Sequence, residues 1–417
     1  MRAPTTQPST LAPVPRPRPQ PTRPAPARAS TSDVLVVGAG LIGAAASWQA
    51  LRAGLSVTCL DPTPGAGASF AAAGVLAPVT EATLGFESLT ALRVASAALW
   101  PAFAADLVAA AQAAGSPERD VGFATHGTLA VGYDASDADQ MDRLHAQHGL
   151  LGLHSEPISV SQAREREPSL APHLSCALWV EGDHQVDPRA VHRALQTVLT
   201  TDPRSTLLRS GAATLLLGAD GRAIGVVDAH GAVHHAGIIV LAAGTASGRL
   251  MAATGRARLP VQSITGQTLR LRPPCGVTLG HVVRGTVHRR PIYLVPRADG
   301  EIVVGATSEG ATTAADLGTT RGMFALLHDA RRLVPSIDEQ AFVEVTSRGR
   351  PGTPDNLPLI GETGVPGLLA ATGHSRNGIV LTPLTALALG VLFGDPPRGA
   401  AGLSQVLAHA DPRRFAL

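Results

Sequence analysis

The stretch Asp33-Val34-Leu35-Val36-Val37-Gly38-Ala39-Gly40-Leu41-Ile42-Gly43 limits what this chain can fold into more than any other. Four consecutive apolar residues make a short strand buried on both faces, as in a parallel sheet. Glycines at the spacing G-x-G-x-x-G follow at once, and Ala44 to Arg52 is rich in helix formers, with Gly54 as a stop. Ser56-Val57-Thr58-Cys59-Leu60 reads as the next strand and ends in Asp61. Strand, glycine turn, helix, strand and acid together form a βαβ unit. Gly38 makes the tight turn, Gly40 lets a pyrophosphate approach the backbone, and Gly43 lets helix pack on strand. The helix N-terminus at Leu41 and Ile42 offers amides and positive dipole to phosphate. Asp61 stands where a carboxylate accepts hydrogen bonds from a ribose, which argues against a 2′-phosphate. The unit predicts dinucleotide binding without separating FAD from NAD.

A chain of 417 residues favours two domains with a cleft between them. Its formal net charge of +2 and 16% charged residues predict no basic face for nucleic acid. The sequence contains no lysine, so all 34 basic residues are arginines and Schiff-base chemistry is excluded. Cys59, Cys176 and Cys275 are widely spaced, which predicts no metal site and fits a reducing cytoplasm. No run of 18 apolar residues occurs, so no membrane span is expected. Residues 1–31 alternate proline with arginine and small polar residues, and are expected to be disordered.

Further on, Leu92 to Ala114 reads as a helix, Gly127 to Val131 as a strand, and Asp187-Pro188-Arg189 as the start of another helix. Gly237 to Gly244 reads as a buried strand entering a glycine turn, and Tyr293 to Val304 as a hairpin around Asp299-Gly300. An apolar helix is expected from about Gly378 to Phe393. Elements of both kinds alternate without repeats, which predicts an α/β architecture.

Four segments go further. Gly65-Ala66-Gly67-Ala68-Ser69-Phe70-Ala71-Ala72-Ala73-Gly74-Val75-Leu76-Ala77-Pro78 is built of small residues, and Val240 to Thr245 ends at Gly244. They are joined by Arg350-Pro351-Gly352-Thr353-Pro354-Asp355-Asn356-Leu357-Pro358-Leu359-Ile360-Gly361 and by Ala371-Thr372-Gly373-His374-Ser375-Arg376-Asn377-Gly378-Ile379. With the glycine turn, they resemble the glycine oxidase and D-amino acid oxidase family of FAD-dependent oxidoreductases, from about Asp33 to the helix after Gly378.

The resemblance implies a Rossmann-like FAD-binding domain (32–92, 183–255 and 340–417). It pairs this with a discontinuous α+β substrate domain on an antiparallel or mixed sheet (93–182 and 256–339). It implies flavin contacts from Ala68, Ser69, Ala73, Gly74, Val75, Gly244, Gly373, His374, Ser375, Asn377, Gly378 and Ile379. Arg350 would grip a substrate carboxylate, with Tyr293 adding a hydroxyl and Arg376 nearby. Bidentate guanidinium recognition fixes orientation as well as charge, and hydride transfer then obliges no protein nucleophile or dedicated base. Arg348 stands at about the position where related sarcosine oxidases attach FAD through a cysteine, so FAD is expected to be non-covalent. Val75 and Ser308 replace longer pocket side chains of some members, which leaves glycine, sarcosine, proline and D-amino acids open as substrates. Oxygen or a quinone remains open as acceptor, and a flavin-binding module without turnover is the alternative from another class. The resemblance further implies a role in making the thiazole of thiamine and, since relatives assemble, a homo-oligomer.

Overall fold

The computed structural model describes residues 30–256, 258–274, 279–310, 317–395 and 403–415. Its first sheet has the order Leu359–Glu362, Leu368–Thr372, Val233–Leu241, Ser30–Val37, Val57–Leu60, Ser205–Leu208. From Leu368–Thr372 onward the neighbours run parallel, so both faces require cover. Val34 and Val36 pack into a cluster with helices Leu41–Arg52, Glu87–Ala113, Pro188–Thr201 and Thr382–Leu392. Leu35 and Val37, one residue out of phase, meet the opposite cluster with Leu215, Leu250 and Met251.

Register brings distant segments together. Val37 is level with Leu60 and Leu241, and Leu241 pairs with Ala370. Gly38, Asp61, Ala242 to Gly244 and Gly373 therefore share the C-terminal edge of one parallel sheet, where such folds bind ligands.

The second sheet runs Ala341–Gly352, Gln262–Arg272, Ile302–Gly305, Arg290–Pro296, Val282–Val287, Thr128–Gly132, Cys176–Val180, Glu156–Ile158. Its pairings are antiparallel, except that Val282–Val287 and Thr128–Gly132 run parallel. One face packs Leu269, Val283, Leu294 and Val304 against Leu326, Ala330 and Leu333 of helix Thr320–Leu333. The other face, carrying the alternate residues, looks toward the first sheet's C-terminal edge. The whole is the mixed α/β fold expected, with an antiparallel and mixed second sheet.

The structure departs from the sequence reading in several places. The first strand begins at Ser30, where disorder was expected through residue 31, because Ser30, Thr31 and Ser32 pair with His234, His235 and Ala236. A ladder uses backbone groups, so the long partner strand recruits polar residues as readily as apolar ones. Residues 1–29 and Cys275 lie outside the described residues. The helix expected from Leu92 starts at Glu87, an acid suited to its first turn, and its Leu92, Trp100 and Leu107 sit in the first cluster. That places 93–113 with the dinucleotide side and not, as expected, with the substrate side. Conversely Ala341–Gly352, expected in the FAD-binding part, is an edge strand of the second sheet because it pairs along its length with Gln262–Arg272.

Helix Glu87–Ala113, with 27 residues, is long and apolar enough to cross a membrane by length and composition, although no unbroken run of 18 apolar residues occurs in it. One of its faces is buried, with Leu92, Trp100 and Leu107 in the first cluster and Arg93 bonded to Asn377 and the Glu81 carbonyl, and 33% of its apolar window lies inside the protein. The last apolar helix is shorter than expected: a 3₁₀ turn at Ser375–Asn377 precedes Thr382–Leu392, which opens with Pro383.

Candidate active site

At the edge of the parallel sheet, Gly38 has φ +103°, and a Cβ there would run into the Ala242 carbonyl and lie 2.9 Å from the Ala243 Cα. Gly43 abuts the Gly38 carbonyl, so it serves helix-on-strand packing and lies behind the cleft wall. Gly40 is the N-cap of helix Leu41–Arg52 and has no side chain to cap the amides. Ser69 reaches over from residues Ala68–Ala71 and accepts the Leu41 amide at 3.1 Å, while Ile42 and Ala68 line the same cleft. Asp61 accepts the Ala39 amide at 2.7 Å and the Thr63 amide at 2.8 Å, so it braces the glycine turn as well as facing the cleft.

The cleft holds about 1250 Å³ and runs from this turn to the second sheet. That exceeds the roughly 300–1,000 Å³ of an ordinary small-molecule pocket and leaves room for a dinucleotide together with a substrate. A Cβ on Gly67 or Gly244 would meet nothing within 4 Å, and one on Gly40 only the Ser69 hydroxyl at 3.6 Å. Bare backbone at three such points, beside a helix N-terminus that its own N-cap Gly40 leaves uncapped, is a cradle that fits FAD.

The small-residue segment is pinned from behind. Gly74 has φ +81°, and a Cβ there would strike the Val186 carbonyl, so Ala73 and Val75 present their edges to the cleft at a fixed distance. Arg297 donates to the carbonyls of Ala73 and Val186, the latter at 3.2 Å, and Thr268 donates its hydroxyl to the Ala71 carbonyl at 2.8 Å. Desolvation draws the Arg297 pKa down to about 10, which still leaves it cationic at neutral pH. Neither residue was singled out from sequence. The available signal was the period of two in Tyr293-Leu294-Val295-Pro296-Arg297, which puts Arg297 on the face of Tyr293.

At the far end, register aligns Thr268, Gly305, Tyr293, Arg284 and Ala130 across neighbouring strands on the cleft face. Tyr293 lays its ring and hydroxyl over Gly305. Burial raises the phenol pKa against the opposing pull of Arg350 and Arg284, so the hydroxyl is a proton donor at neutral pH. Arg350 pairs with Ile264, lays its guanidinium over Gly266, and donates to the Thr307 carbonyl at 3.1 Å. Arg350, Tyr293 and Ser308 all line the cleft.

Arg376 lines the cleft too, and its Nε lies 3.2 Å from Glu81. Glu81 is the centre of a cluster that sequence reading missed. Arg284 brings both terminal nitrogens to one Glu81 oxygen at 3.2 Å. Arg93 lies 3.5 Å from the other oxygen, and donates to the Glu81 carbonyl at 2.6 Å and to the Asn377 side chain at 2.8 Å. Burial alone would raise the Glu81 carboxyl, but Arg284, Arg376 and Arg93 overcome it and hold its pKa at about 2. The buried carboxylate of Asp183 accepts the Val79 amide at 2.8 Å and the Thr80 amide at 3.0 Å, fixing the turn that presents Glu81.

In the last segment, Gly373 lies behind the wall against Thr353, while Ser375, Asn377, Gly378 and Ile379 line the cleft. Ser375 holds φ +51°, an uncommon conformation for a residue with a side chain. The His374 ring packs inward, with Nε2 3.0 Å from the Thr385 hydroxyl, and burial drives its pKa down to about 3. The imidazole is therefore neutral in the folded protein. Below pH 6.5, its ordinary value, the unfolded chain takes up a proton that the folded one refuses. The His374 contribution to stability is whole above that pH and drains away as pH falls toward about 3. Melting temperatures followed from pH 6.5 downward are expected to fall less steeply in His374→Asn than in the parent; parallel curves would assign the acid sensitivity to other groups.

Residues 33–391 match the family model for FAD dependent oxidoreductases of the DAO type. The chain is similar to the glycine oxidase of Geobacillus kaustophilus, at 31% identity over 361 residues, covering 85% of this chain and 91% of that protein. It is similar also to the bifunctional protein ThiO/ThiG of Trichormus variabilis, at 32% identity over 365 residues; these are 85% of this chain but only 52% of that longer protein. The crystal structure of glycine oxidase from Geobacillus kaustophilus superposes with a TM-score of 0.79 at 29% identity, over 89% of this chain and 96% of that one. The matched span takes in the glycine turn, the pinned small-residue segment and the sheet that carries Tyr293 and Arg350. The chain thus belongs to the DAO family of FAD-dependent oxidoreductases.

Proposed function

We propose that this protein oxidises glycine, or a small amine built on glycine, to the imine, with non-covalent FAD and oxygen as acceptor. The observation that carries the reading is the Arg350 guanidinium lining the cleft over Gly266, beside the Tyr293 hydroxyl. A guanidinium offers a carboxylate two parallel N–H donors, and the bond from Arg350 to the Thr307 carbonyl fixes the direction in which they point. Tyr293, protonated at neutral pH, donates a further hydrogen bond. Bound FAD supplies the two-electron acceptor for the substrate Cα–H. Glu81, with its pKa held at about 2, is too weak a base to take the amine proton, which leaves to solvent before turnover. The imine hydrolyses to glyoxylate and ammonia, oxygen is reduced to hydrogen peroxide, and the unhydrolysed imine suits assembly of the thiazole of thiamine.

Relatives named glycine oxidase support the substrate class. Non-covalent attachment is supported by Arg348, whose Nε donates to the Ala66 carbonyl at 2.7 Å, and by Cys59 and Cys176, neither of which lines the cleft. The same free thiols support a reducing cytoplasm. The small side chains of Val75 and Ser308 in the wall favour, as a second reading, N-substituted glycines such as sarcosine.

The test is anaerobic. Glycine, sarcosine and D-alanine are added separately to the purified yellow protein, the flavin absorbance is followed, and air is then admitted. Bleaching by glycine and recovery in air with peroxide release is the expected result. A flavin that no amine bleaches would overturn the oxidase reading and leave a binding module.

A further inference from the structure

The Thr307 carbonyl accepts an Arg350 terminal N–H at 3.1 Å and so decides where that guanidinium points. Its own place is set by an irregularity in the sheet. Strand Ile302–Gly305 pairs with Gln262–Arg272 as far as Gly305 opposite Thr268, and the two segments meet again where Glu309 bridges Thr265. Four steps along one segment answer three along the other, which is a bulge of one residue. There the Thr307 hydroxyl stands in for a backbone acceptor and receives the Gln267 amide at 2.9 Å, while the Thr307 carbonyl is left for Arg350.

Side chains close the bulge from behind. One Glu309 carboxylate oxygen accepts from Gln267 Nε2 at 2.6 Å and from the Thr307 hydroxyl at 2.8 Å. Gln267 is buried, and the rest of its side-chain amide goes to Thr319: Nε2 donates to the hydroxyl at 2.9 Å, and Oε1 accepts the backbone amide at 2.8 Å. Thr319 in turn caps helix Thr320–Leu333 by accepting the Gly322 amide at 3.1 Å. Both N–H groups and the oxygen of the Gln267 side chain are thereby satisfied, and a buried network satisfied in this way is rigid. Thr307 and Arg350 line the cleft, whereas Glu309 and Gln267 do not. Whatever Glu309 does to a bound ligand therefore passes through Thr307.

We infer that Glu309 is a positioning residue for carboxylate recognition: through Thr307 and Gln267 it locks the bulge whose carbonyl aims Arg350, and so sets how tightly the cleft takes a substrate carboxylate. The inference rests on Arg350 as the carboxylate anchor. With the bulge locked, the guanidinium is ordered before the ligand arrives; with it loose, binding has to order that side chain first. Glu309 acts here by reach and not by charge, because both of its bonds go to the same oxygen.

Two variants separate reach from charge. Glu309→Gln keeps an oxygen where both bonds need it and drops the charge; Glu309→Asp keeps the charge and, one methylene shorter, withdraws the oxygen. Methoxyacetate is a carboxylate with no amine to oxidise, so calorimetric titration of the holoenzyme with it reads binding apart from turnover. Glu309→Asp is expected to bind it about 3- to 10-fold more weakly than the parent, the worth of ordering one long side chain, and Glu309→Gln within about twofold of the parent. A Glu309→Asp protein that melts lower but binds methoxyacetate like the parent would overturn the inference, since a purely structural tie gives that pattern. Weakened binding in Glu309→Gln would overturn it as well, by assigning the effect to charge. A parent holoenzyme that does not bind methoxyacetate would remove the Arg350 anchor and this role of Glu309 with it. Failure of the oxidase reading would show separately, as a flavin that glycine cannot bleach in a protein whose methoxyacetate affinity still falls in Glu309→Asp alone.

Discussion

Arg350→Ala is expected to raise KM for glycine roughly 30- to 700-fold while the purified protein stays yellow. Truncating one partner of a hydrogen-bonded charge pair in a cleft costs about 2 to 4 kcal/mol, at about 1.4 kcal/mol per tenfold. FAD should survive because the bonds of Arg350 stay within the second sheet, over Gly266 and to Thr307, whereas the glycine cradle is on the first. Arg350→Lys is expected to recover only part of the loss, since an ammonium supplies charge without the planar fork. Steady-state kinetics together with the visible spectrum decide the matter. FAD lost in proportion to activity would mean that Arg350 serves the fold or the cofactor and not the substrate.

Gly38→Ala is expected to leave little folded, FAD-loaded protein. Two costs add at that position. The left-handed backbone at φ +103° disfavours any side chain by about 1–2 kcal/mol. The new Cβ would also collide with the Ala242 carbonyl, part of a strand end held by the Ala242 amide bond to Val37 at 2.8 Å. Buried backbone cannot swing aside as a side-chain tip can. A total above about 4 kcal/mol is a large share of the roughly 5–15 kcal/mol that holds a typical protein folded. Gly149→Ala is the control, because a Cβ there meets nothing within 4 Å, its φ is not in the left-handed region, and it lies on helix Ala135–Leu150 outside the cleft lining. It is expected to melt like the parent. The FAD-to-protein absorbance ratio and the melting temperature of both variants are the readouts, and a Gly38→Ala protein matching the parent in both would show that the turn relaxes at no cost.

The two predictions differ in how their residues could be found. Gly38 was legible in sequence because its task is set within a dozen residues: a strand ends, the chain turns and a helix begins, all under local steric rules. The same holds for the small-residue segment and for the glycine turn before Ser375. Arg350 was marked by the segment around it, and Tyr293 by its place in a hairpin that the structure forms as expected, between Arg290–Pro296 and Ile302–Gly305.

By itself, then, the sequence determined the parallel βαβ entry and its glycine turn, because periodicity, turn chemistry and motif spacing are properties of short stretches; the mixed second sheet and the substrate roles of Arg350 and Tyr293 were what the family resemblance implied. Tertiary structure alone decided that the first strand reaches back to Ser30, that Ala341–Gly352 joins the second sheet, and that Arg297 pins Ala73. It alone decided that Arg93, Arg284 and Arg376 converge on Glu81. Those four side chains come from a loop, a helix, a strand and a 3₁₀ turn, and apart from Glu81 and Arg93 they are far apart in the chain. Nothing in the stretch around any one of them announces the others. Which cation meets which carboxylate is set by strand order and register across a whole sheet, and those follow from how complete layers bury their apolar faces against each other.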